Sequence, residues 1–225
     1  MKIHFLGTGA GDWPLQKSEN MLEFRYHASA LLDDVLLIDP GPNALKAMIE
    51  QMIDKTKIKY IINTHKHFDH YSEDTVHELS EYATFFDIKG GETINIGNYS
   101  VSAFKANHGT CIDAVHFIIS DGASRIFYGM DGAWLMYDEV LAIKKSGVDL
   151  AVLDGTVGFI GGDYRIFEHN NLNMVIEIKN SLKDYIKTFC INHMAMTLHT
   201  DHQTLQENLK KHDILVAYDG MEIEF

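Results

Sequence analysis

The sequence concentrates side chains that bind metal ions in one short stretch. Three histidines and one aspartate lie within the six residues His65-Lys66-His67-Phe68-Asp69-His70. Imidazole nitrogens and carboxylate oxygens are ligands that suit zinc, and also manganese or iron. The apolar run at residues 60–62 is typical of a buried strand, and Ser72 is a suitable N-cap for a following helix. The stretch is therefore predicted to be a metal-binding turn held between a strand and a helix.

Three further ligands are predicted at or just beyond the ends of later strands. His108, Asp131 and His193 each follow an apolar stretch typical of a strand. Because loops at one edge of a sheet bring distant residues into one crevice, we expect these three side chains to meet the first four. The predicted metal ligands are His65, His67, Asp69, His70, His108, Asp131 and His193. Seven ligands are too many for one tetrahedral ion, so we predict two divalent ions about 3.5–4 Å apart, with zinc favoured and manganese or iron as alternatives.

Composition and charge limit the classes of function. With 225 residues, 46% of them hydrophobic and 23% charged, the chain is expected to form one soluble globular domain over residues 1–225. Its net charge of −13 disfavours binding to long nucleic acid. We find neither a signal peptide nor an apolar run approaching about 18 residues. We therefore expect a cytoplasmic protein without membrane contact that acts on a small molecule, and its oligomeric state is left open, a homo-oligomer included.

Other conspicuous residues are interpreted as structural. Cys111 and Cys190 lie far apart and outside any Cys-x-x-Cys spacing, which indicates core thiols. The glycine-rich stretch 7–11 is followed by Asp12-Trp13-Pro14 instead of a helix, which argues against a phosphate-binding loop. The remaining histidines are expected to be surface or packing residues: His4, His27, His77, His116, His199, His202 and His212.

Taken together, these residues resemble the metallo-β-lactamase superfamily. The pattern His-x-His-x-Asp-His, followed in order by His108, Asp131 and His193, covers nearly the full chain. The stretches 7–9 and 37–41 are also positioned as in that superfamily. The resemblance implies an α/β (α+β) fold, a four-layer αββα sandwich. Asp131 stands where true β-lactamases have a cysteine, which argues against β-lactam hydrolysis.

Three stretches are similar to a narrower branch of that superfamily, the cyclic-phosphate phosphodiesterases of phosphonate degradation, and more distantly to transfer-RNA end-processing endonucleases. These stretches are residues 168–173, 191–193 and 217–221. The chain lacks the structural zinc site that the phosphonate enzyme builds on N-terminal cysteines. It also lacks the long arm with which the endonucleases grip transfer RNA, and this departure and the net charge of −13 weigh against RNA as a substrate.

The resemblance and the ligand set predict a dinuclear metal-dependent hydrolase for a small phosphodiester, cyclic ones included, that uses a hydroxide bridging the two metals. Asp69 would orient that hydroxide, and His169 would donate a proton or hydrogen bond to the leaving oxygen. The residues that bind substrate are not identified, although Arg165 and Tyr164 are candidates for phosphate contacts. Hydrolysis of a lactone or thioester by the same ligands is the alternative activity, and a metal-binding sensor module is the non-enzymatic alternative.

Overall fold

The computed structural model describes residues 1–225, which form thirteen strands and five α-helices. The strands are β1 (Lys2–Gly7), β2 (Ser29–Leu32), β3 (Leu36–Ile38), β4 (Tyr60–Ile62), β5 (Thr84–Phe86), β6 (Thr93–Ile96), β7 (Tyr99–Lys105), β8 (Val115–Ser120), β9 (Arg125–Gly129), β10 (Val148–Asp154), β11 (Ile186–Asn192), β12 (Ile214–Val216) and β13 (Glu222–Glu224). The helices are α1 (Ala44–Glu50), α2 (Glu73–Leu79), α3 (Tyr137–Ser146), α4 (Leu172–Leu182) and α5 (His202–Lys210). Short 3-10 helices lie at Lys55–Lys57 and Tyr164–Phe167.

The strands form two mixed sheets. The first has six strands in the order β13-β1-β2-β3-β4-β5, and the second has seven in the order β12-β11-β10-β9-β8-β7-β6. β3, β4 and β5 run parallel to one another, as do β9, β10, β11 and β12. Parallel neighbours end at the same edge of a sheet, so the loops that leave these strands share one rim of the molecule.

The two sheets pack face to face, and helices cover both outer faces. The core between the sheets contains Phe5 from the first sheet and Phe117 from the second. On the outer face of the first sheet, Met48 of α1 and Leu79 of α2 pack against strand residues. On the outer face of the second sheet, the same role falls to α3, α4 and α5, for example through Leu172. The layers are therefore αββα, which confirms the predicted fold class.

One helix shows where the apolar pattern misleads. The spacing of Met48, Ile49 and Met52 predicts that all three lie on the buried face of α1, but Ile49 is 78% exposed and Met52 is 92% exposed. The helix ends at Glu50, and Met52 turns away with a φ of 55°. The sequence also predicts Asn43 as the N-cap of this helix. Asn43 does precede α1, yet its side chain does not cap the helix, because its Oδ1 accepts a hydrogen bond from His27 N instead.

The turn that carries the first four predicted ligands lies between β4 and α2. Ser72 caps α2 as predicted, since its hydroxyl accepts from Thr75 N. The neighbouring turn after β3 packs directly on the ligand turn, because a Cβ at Gly41 would overlap the carbonyl oxygen of Asp69. Glycine at position 41 therefore permits the close approach that fixes the backbone of Asp69.

Candidate metal centre

All seven predicted ligands meet at one rim of the sandwich. The turn after β4 supplies four of them, and the loops after β7, β9 and β11 supply His108, Asp131 and His193. Asp131 and His193 adopt left-handed backbone conformations, with φ of 55° and 62°. Such conformations are uncommon for residues other than glycine and are found preferentially at functional sites. The structure thus assembles the set that the sequence predicts.

The side chains divide into two groups that share Asp131. The first group contains His65, His67 and His108 together with Asp131. Within each of the two groups, the ligand atoms lie within 4.8 Å of one another. In this group His67 Nδ1 lies 3.1 Å from His108 Nε2, and His65 Nε2 lies 3.2 Å from Asp131 Oδ2. A carboxylate common to two groups is what a dinuclear centre requires.

The second group contains Asp69, His70 and His193 around the same carboxylate. His70 Nε2 lies 3.1 Å from His193 Nε2 and 3.3 Å from Asp131 Oδ2. His193 Nε2 lies 3.3 Å from Asp69 Oδ2. Each group therefore offers three side chains of its own plus the shared Asp131.

Hydrogen bonds at the far ring nitrogens aim the imidazoles into the centre. His65 Nδ1 lies 3.1 Å from Thr64 Oγ1, which in turn donates to Asp39 Oδ1. His70 Nδ1 donates to Asp39 Oδ2 at 3.0 Å, and His108 Nδ1 faces the carbonyl oxygen of Glu168 at 3.3 Å. Because each Nδ1 carries the proton, each Nε2 presents a lone pair.

Unsatisfied buried atoms show that these residues fit a metal. His65 Nε2 and Asp131 Oδ1 are buried without a hydrogen-bond partner. Buried polar atoms are normally paired, and two facing imidazole lone pairs repel unless a cation lies between them. The donor set of nitrogen and carboxylate oxygen atoms suits zinc, manganese or iron. The residues therefore fit two divalent ions.

The electrostatics of the cluster favour the ionised carboxylates. Burial opposes ionisation of Asp131, but the imidazoles of His193 and His70 hold its pKa well below the usual range. Burial lowers the pKa of His108 to about 4, so this ligand is neutral at pH 7. Burial also opposes protonation of His70, yet the carboxylates of Asp69 and Asp131 raise its pKa well above the usual value. The ionised carboxylates of Asp69 and Asp131 attract cations.

Asp39 is an important residue that the sequence analysis did not assign. It is fully buried, directly follows β3, and has a φ of 58°. Its two oxygens hold Thr64 and His70, and through Thr64 they orient His65. The position of an aspartate at a strand end could have identified it, but that position does not distinguish a metal ligand from a residue that orients ligands.

The sequence does not identify the role of Asp154 either, because its position at a strand end does not distinguish a metal ligand from a residue that orients one. In the structure Asp154 positions His169. This aspartate ends β10, is fully buried, and lies 2.8 Å from His169 Nδ1. The His169 ring stacks on His193 with centroids 5.7 Å apart and an interplanar angle of 19°. Burial opposes protonation of His169, but the carboxylates of Asp154 and Asp131 raise its pKa. Asp154 thus orients the His169 ring beside the candidate metal ligands and favours its protonated form.

The two candidates for phosphate contacts differ in position. Arg165 lines the pocket at the metal centre, and its Nε and Nη2 bind the carboxylate of Asp163 at 2.9 and 2.6 Å. Tyr164 is 79% exposed and does not line that pocket. In the C-terminal stretch 217–221, Asp219 accepts hydrogen bonds from Thr8 Oγ1 and Tyr26 N, so its role is to tie chain segments together.

Zinc is expected to stabilise the folded protein. Because the cluster forms only on folding, ions bind the folded chain in preference to the unfolded one. An ion at about 100 times its Kd adds about 2.7 kcal/mol, and in a domain of this size that raises Tm by about 5–10 °C. Calorimetry on metal-free protein with and without added zinc measures the shift. Magnesium, which prefers six oxygens, is the control and should shift Tm much less; equal Tm values with and without zinc, manganese or iron would contradict the site.

Comparisons with known proteins agree with this geometry. A family model described as the metallo-β-lactamase superfamily matches residues 24–73. A comparison of the sequence with curated proteins finds no match. Three solved structures resemble the whole chain. They are the metallo-β-lactamase fold protein YhfI from Bacillus subtilis (14% identity, TM-score 0.77, covering 100% of this chain and 99% of that one), a diphosphatase of the PhnP family (18%, 0.73, 100% and 97%) and the short form of human tRNase Z (16%, 0.71, 100% and 99%).

The family model matches a part of the chain that includes the predicted ligand turn, and the shared fold is the one that the predicted superfamily implies. The chain has the metallo-β-lactamase fold, and it carries a cluster of His and Asp side chains able to hold metal ions. At identities of 14–18% the structural likeness itself establishes the fold. None of the five α-helices has the length and hydropathy needed to span a bilayer.

Proposed function

We propose that the protein is a dinuclear metal-dependent phosphodiesterase that hydrolyses small phosphodiesters, cyclic ones included. The observation that carries this proposal is the hydrogen-bonded pair of the fully buried Asp154 and the half-buried His169 at the edge of the ligand cluster. A metal site alone needs no such pair, whereas hydrolysis of an ester with a poor leaving group does.

Each part of the site has a distinct task. Two divalent ions, held by the seven ligands, would supply a nucleophile from water near neutral pH and neutralise the charge of the phosphate oxygens. Asp39 holds His65 and His70 in position. Asp69 lies in the second ligand group and also lines the pocket, where it could orient the attacking oxygen.

His169 is oriented to serve the leaving group. Because Asp154 accepts from Nδ1, the Nε2 atom is left to face the pocket that His169 lines. The carboxylates of Asp154 and Asp131 raise the pKa of His169, which favours the protonated ring whose Nε2 can donate its proton to a departing alkoxide. A thiolate leaves without such help more readily than an alkoxide, which favours an oxygen ester over a thioester.

The surroundings of the site support a small substrate that contains phosphate. A diphosphatase is among the similar structures, and the pocket is lined by one cationic side chain, Arg165, which is paired with Asp163. The pocket measures about 210 Å³, and the chain carries a net charge of −13. Both values favour a small-molecule substrate over long nucleic acid. The similarity to tRNase Z does not outweigh them.

A substrate panel tests the proposal. Protein loaded with zinc or manganese should hydrolyse bis(p-nitrophenyl) phosphate and a cyclic nucleotide, and metal-free protein is the control. Homoserine lactone and a glutathione thioester represent the alternative chemistry. Turnover of only these last two compounds would contradict the proposed phosphodiesterase activity. Metal-loaded protein that is inert towards the whole panel would instead indicate a sensor.

A further inference from the structure

The pocket at the metal centre is too small and too polar to hold a whole substrate. It measures about 210 Å³, and its only apolar lining residues are Ala10 and Ala195. Sites for small molecules usually measure about 300–1,000 Å³ and are lined mainly by apolar side chains. The pocket can accept a phosphate group with its polar contacts, but an apolar alcohol group of the substrate must lie elsewhere.

A larger cavity lies next to the metal centre, and Ala195 lines both. We call it the side cavity; its volume is about 530 Å³. Its lining is Trp13, Met21, Leu22, Glu23, Arg25, Met194, Ala195, Met196, His199, Thr200 and Asp201. More than half of these residues are apolar, so the side cavity has the volume and the character that the metal pocket lacks.

The wall between the two spaces is built to be rigid. It is the segment 194–197, which directly follows the predicted ligand His193. Asp12 accepts hydrogen bonds from the backbone N–H groups of Met196 and Thr197 at 2.7 and 3.0 Å, and Trp13 Nε1 donates to the carbonyl oxygen of Met194 at 2.8 Å. These hydrogen bonds hold the segment that follows His193 in a fixed position beside both spaces.

The charges in the side cavity select against an anionic group. Arg25 is 7% exposed, and its guanidinium donates to Thr8 Oγ1 at 2.7 Å and to the carbonyl oxygen of Ala217 at 3.1 Å. Its donors are thus directed into the protein, whereas Glu23 and Asp201 add negative charge to the lining. The flexible thioethers of Met21 and Met196 adapt well to apolar groups of different shape.

We infer that the side cavity binds an uncharged, apolar alcohol group of the phosphodiester, so that the natural substrate carries its negative charge at the scissile phosphate alone. The inference rests on the proposed phosphodiesterase activity. In this arrangement the leaving oxygen faces His169, and the alcohol that stays on phosphorus occupies the side cavity. Hydrolysis joins the oxygen of water to phosphorus and breaks the bond to the leaving oxygen. The leaving oxygen takes a proton and departs as an alcohol, and the alcohol in the side cavity remains on the phosphate monoester.

Three phosphodiesters with the same leaving group test the inference. Methyl, benzyl and 4-carboxybenzyl p-nitrophenyl phosphate differ only in the alcohol that stays on phosphorus. With metal-loaded protein, we expect kcat/KM for the benzyl ester to exceed that for the methyl ester about tenfold, since small apolar differences are worth 10–200-fold in such pockets. The 4-carboxybenzyl ester should lose this advantage.

Variants of the side cavity locate the effect. Met196→Ala and Met21→Ala are expected to raise KM for the benzyl ester about tenfold at nearly constant kcat, because the lost contact is the same in the ground and transition states. Met136→Ala is the matched control, since Met136 is 44% exposed against 39% for Met196 and lines none of the cavities described above. Its kinetic constants should equal those of the wild type.

The outcomes distinguish a failure of the side-cavity inference from a failure of the proposed phosphodiesterase activity. Equal kcat/KM for the methyl and benzyl esters, or cavity variants that behave like Met136→Ala, would overturn the inference and leave the phosphodiesterase in place. A preference for the 4-carboxybenzyl ester would contradict the inference that the side cavity binds an uncharged group. Metal-loaded wild type that hydrolyses none of the three esters would overturn the proposed function, and the inference with it.

Discussion

Replacing Asp131 by asparagine is expected to remove metal-dependent hydrolysis almost completely. Its Oδ2 lies 3.2 Å from His65 Nε2 and 3.3 Å from His70 Nε2, so one carboxylate serves both ligand groups. Replacing residues that only orient a metal ligand costs about 10–100-fold in affinity or activity, so loss of a shared ligand should cost more than about 100-fold. Metal analysis and kcat for bis(p-nitrophenyl) phosphate measure both effects.

Asparagine is the informative replacement because it keeps the shape and tolerates the left-handed conformation that Asp131 adopts at a φ of 55°. Asp74→Asn, in the first turn of α2, is the control for a lost carboxylate outside the cluster and should retain metals and activity. An Asp131→Asn protein with two bound metals and wild-type kcat would show that the carboxylate does not join the groups.

The convergence of the seven candidate ligands could be predicted because their surroundings are local in sequence. An apolar run of a few residues is enough to predict a buried strand, and polar residues such as His108 and His193 directly follow the ends of such runs. Their convergence needed only the rule that loops at one edge of a sheet share a crevice. The strand order and the exact division into two groups around Asp131 depend on long-range packing, which the sequence pattern does not contain.

The residues that support the ligands could not be separated from ligands by the same reasoning. Asp39 and Asp154 also lie at strand ends, but in the fold each binds a histidine nitrogen. His116 was grouped correctly with the packing histidines, although the sequence did not show that it pairs with Glu139 at 2.6 Å in the core. Such partners are distant in sequence, so only the fold brings them together.

The glycine-rich turn after β1 shows a further indirect role. It does not open a helix, in line with the prediction that it is not a phosphate loop. Instead, Gly9 bridges to His27 and Met194, and a Cβ at this position would strike the ring of Trp13. Small side chains here allow the chain to pack against the segment that follows His193. The turn thus contributes to the site by positioning, without chemistry of its own.

Replacing His169 by alanine is expected to leave both metals bound and to slow hydrolysis in proportion to the difficulty of the leaving group. General acid catalysis is typically worth about 10²–10⁴-fold, so a cyclic nucleotide, with its alkoxide leaving group, should lose this much in kcat. A p-nitrophenyl ester should lose far less, because p-nitrophenolate departs without protonation. Steady-state kinetics on the two substrates, together with metal analysis, measures the difference.

Asp154→Asn is the companion variant, since Asp154 orients His169 through its Nδ1. It should lower kcat for the cyclic nucleotide more than kcat for the p-nitrophenyl ester, as His169→Ala does. The exposed His77→Ala in α2 controls for loss of an imidazole outside the site.

Metal content decides between the two roles open to His169. Its ring also belongs to a group with Asp131, Asp154 and His193 whose ligand atoms lie within 4.8 Å of one another. If it were a ligand there, His169→Ala would lose metal and slow both substrates equally. If it is the proton donor, metal content stays constant and only kcat for the substrate with the poor leaving group falls.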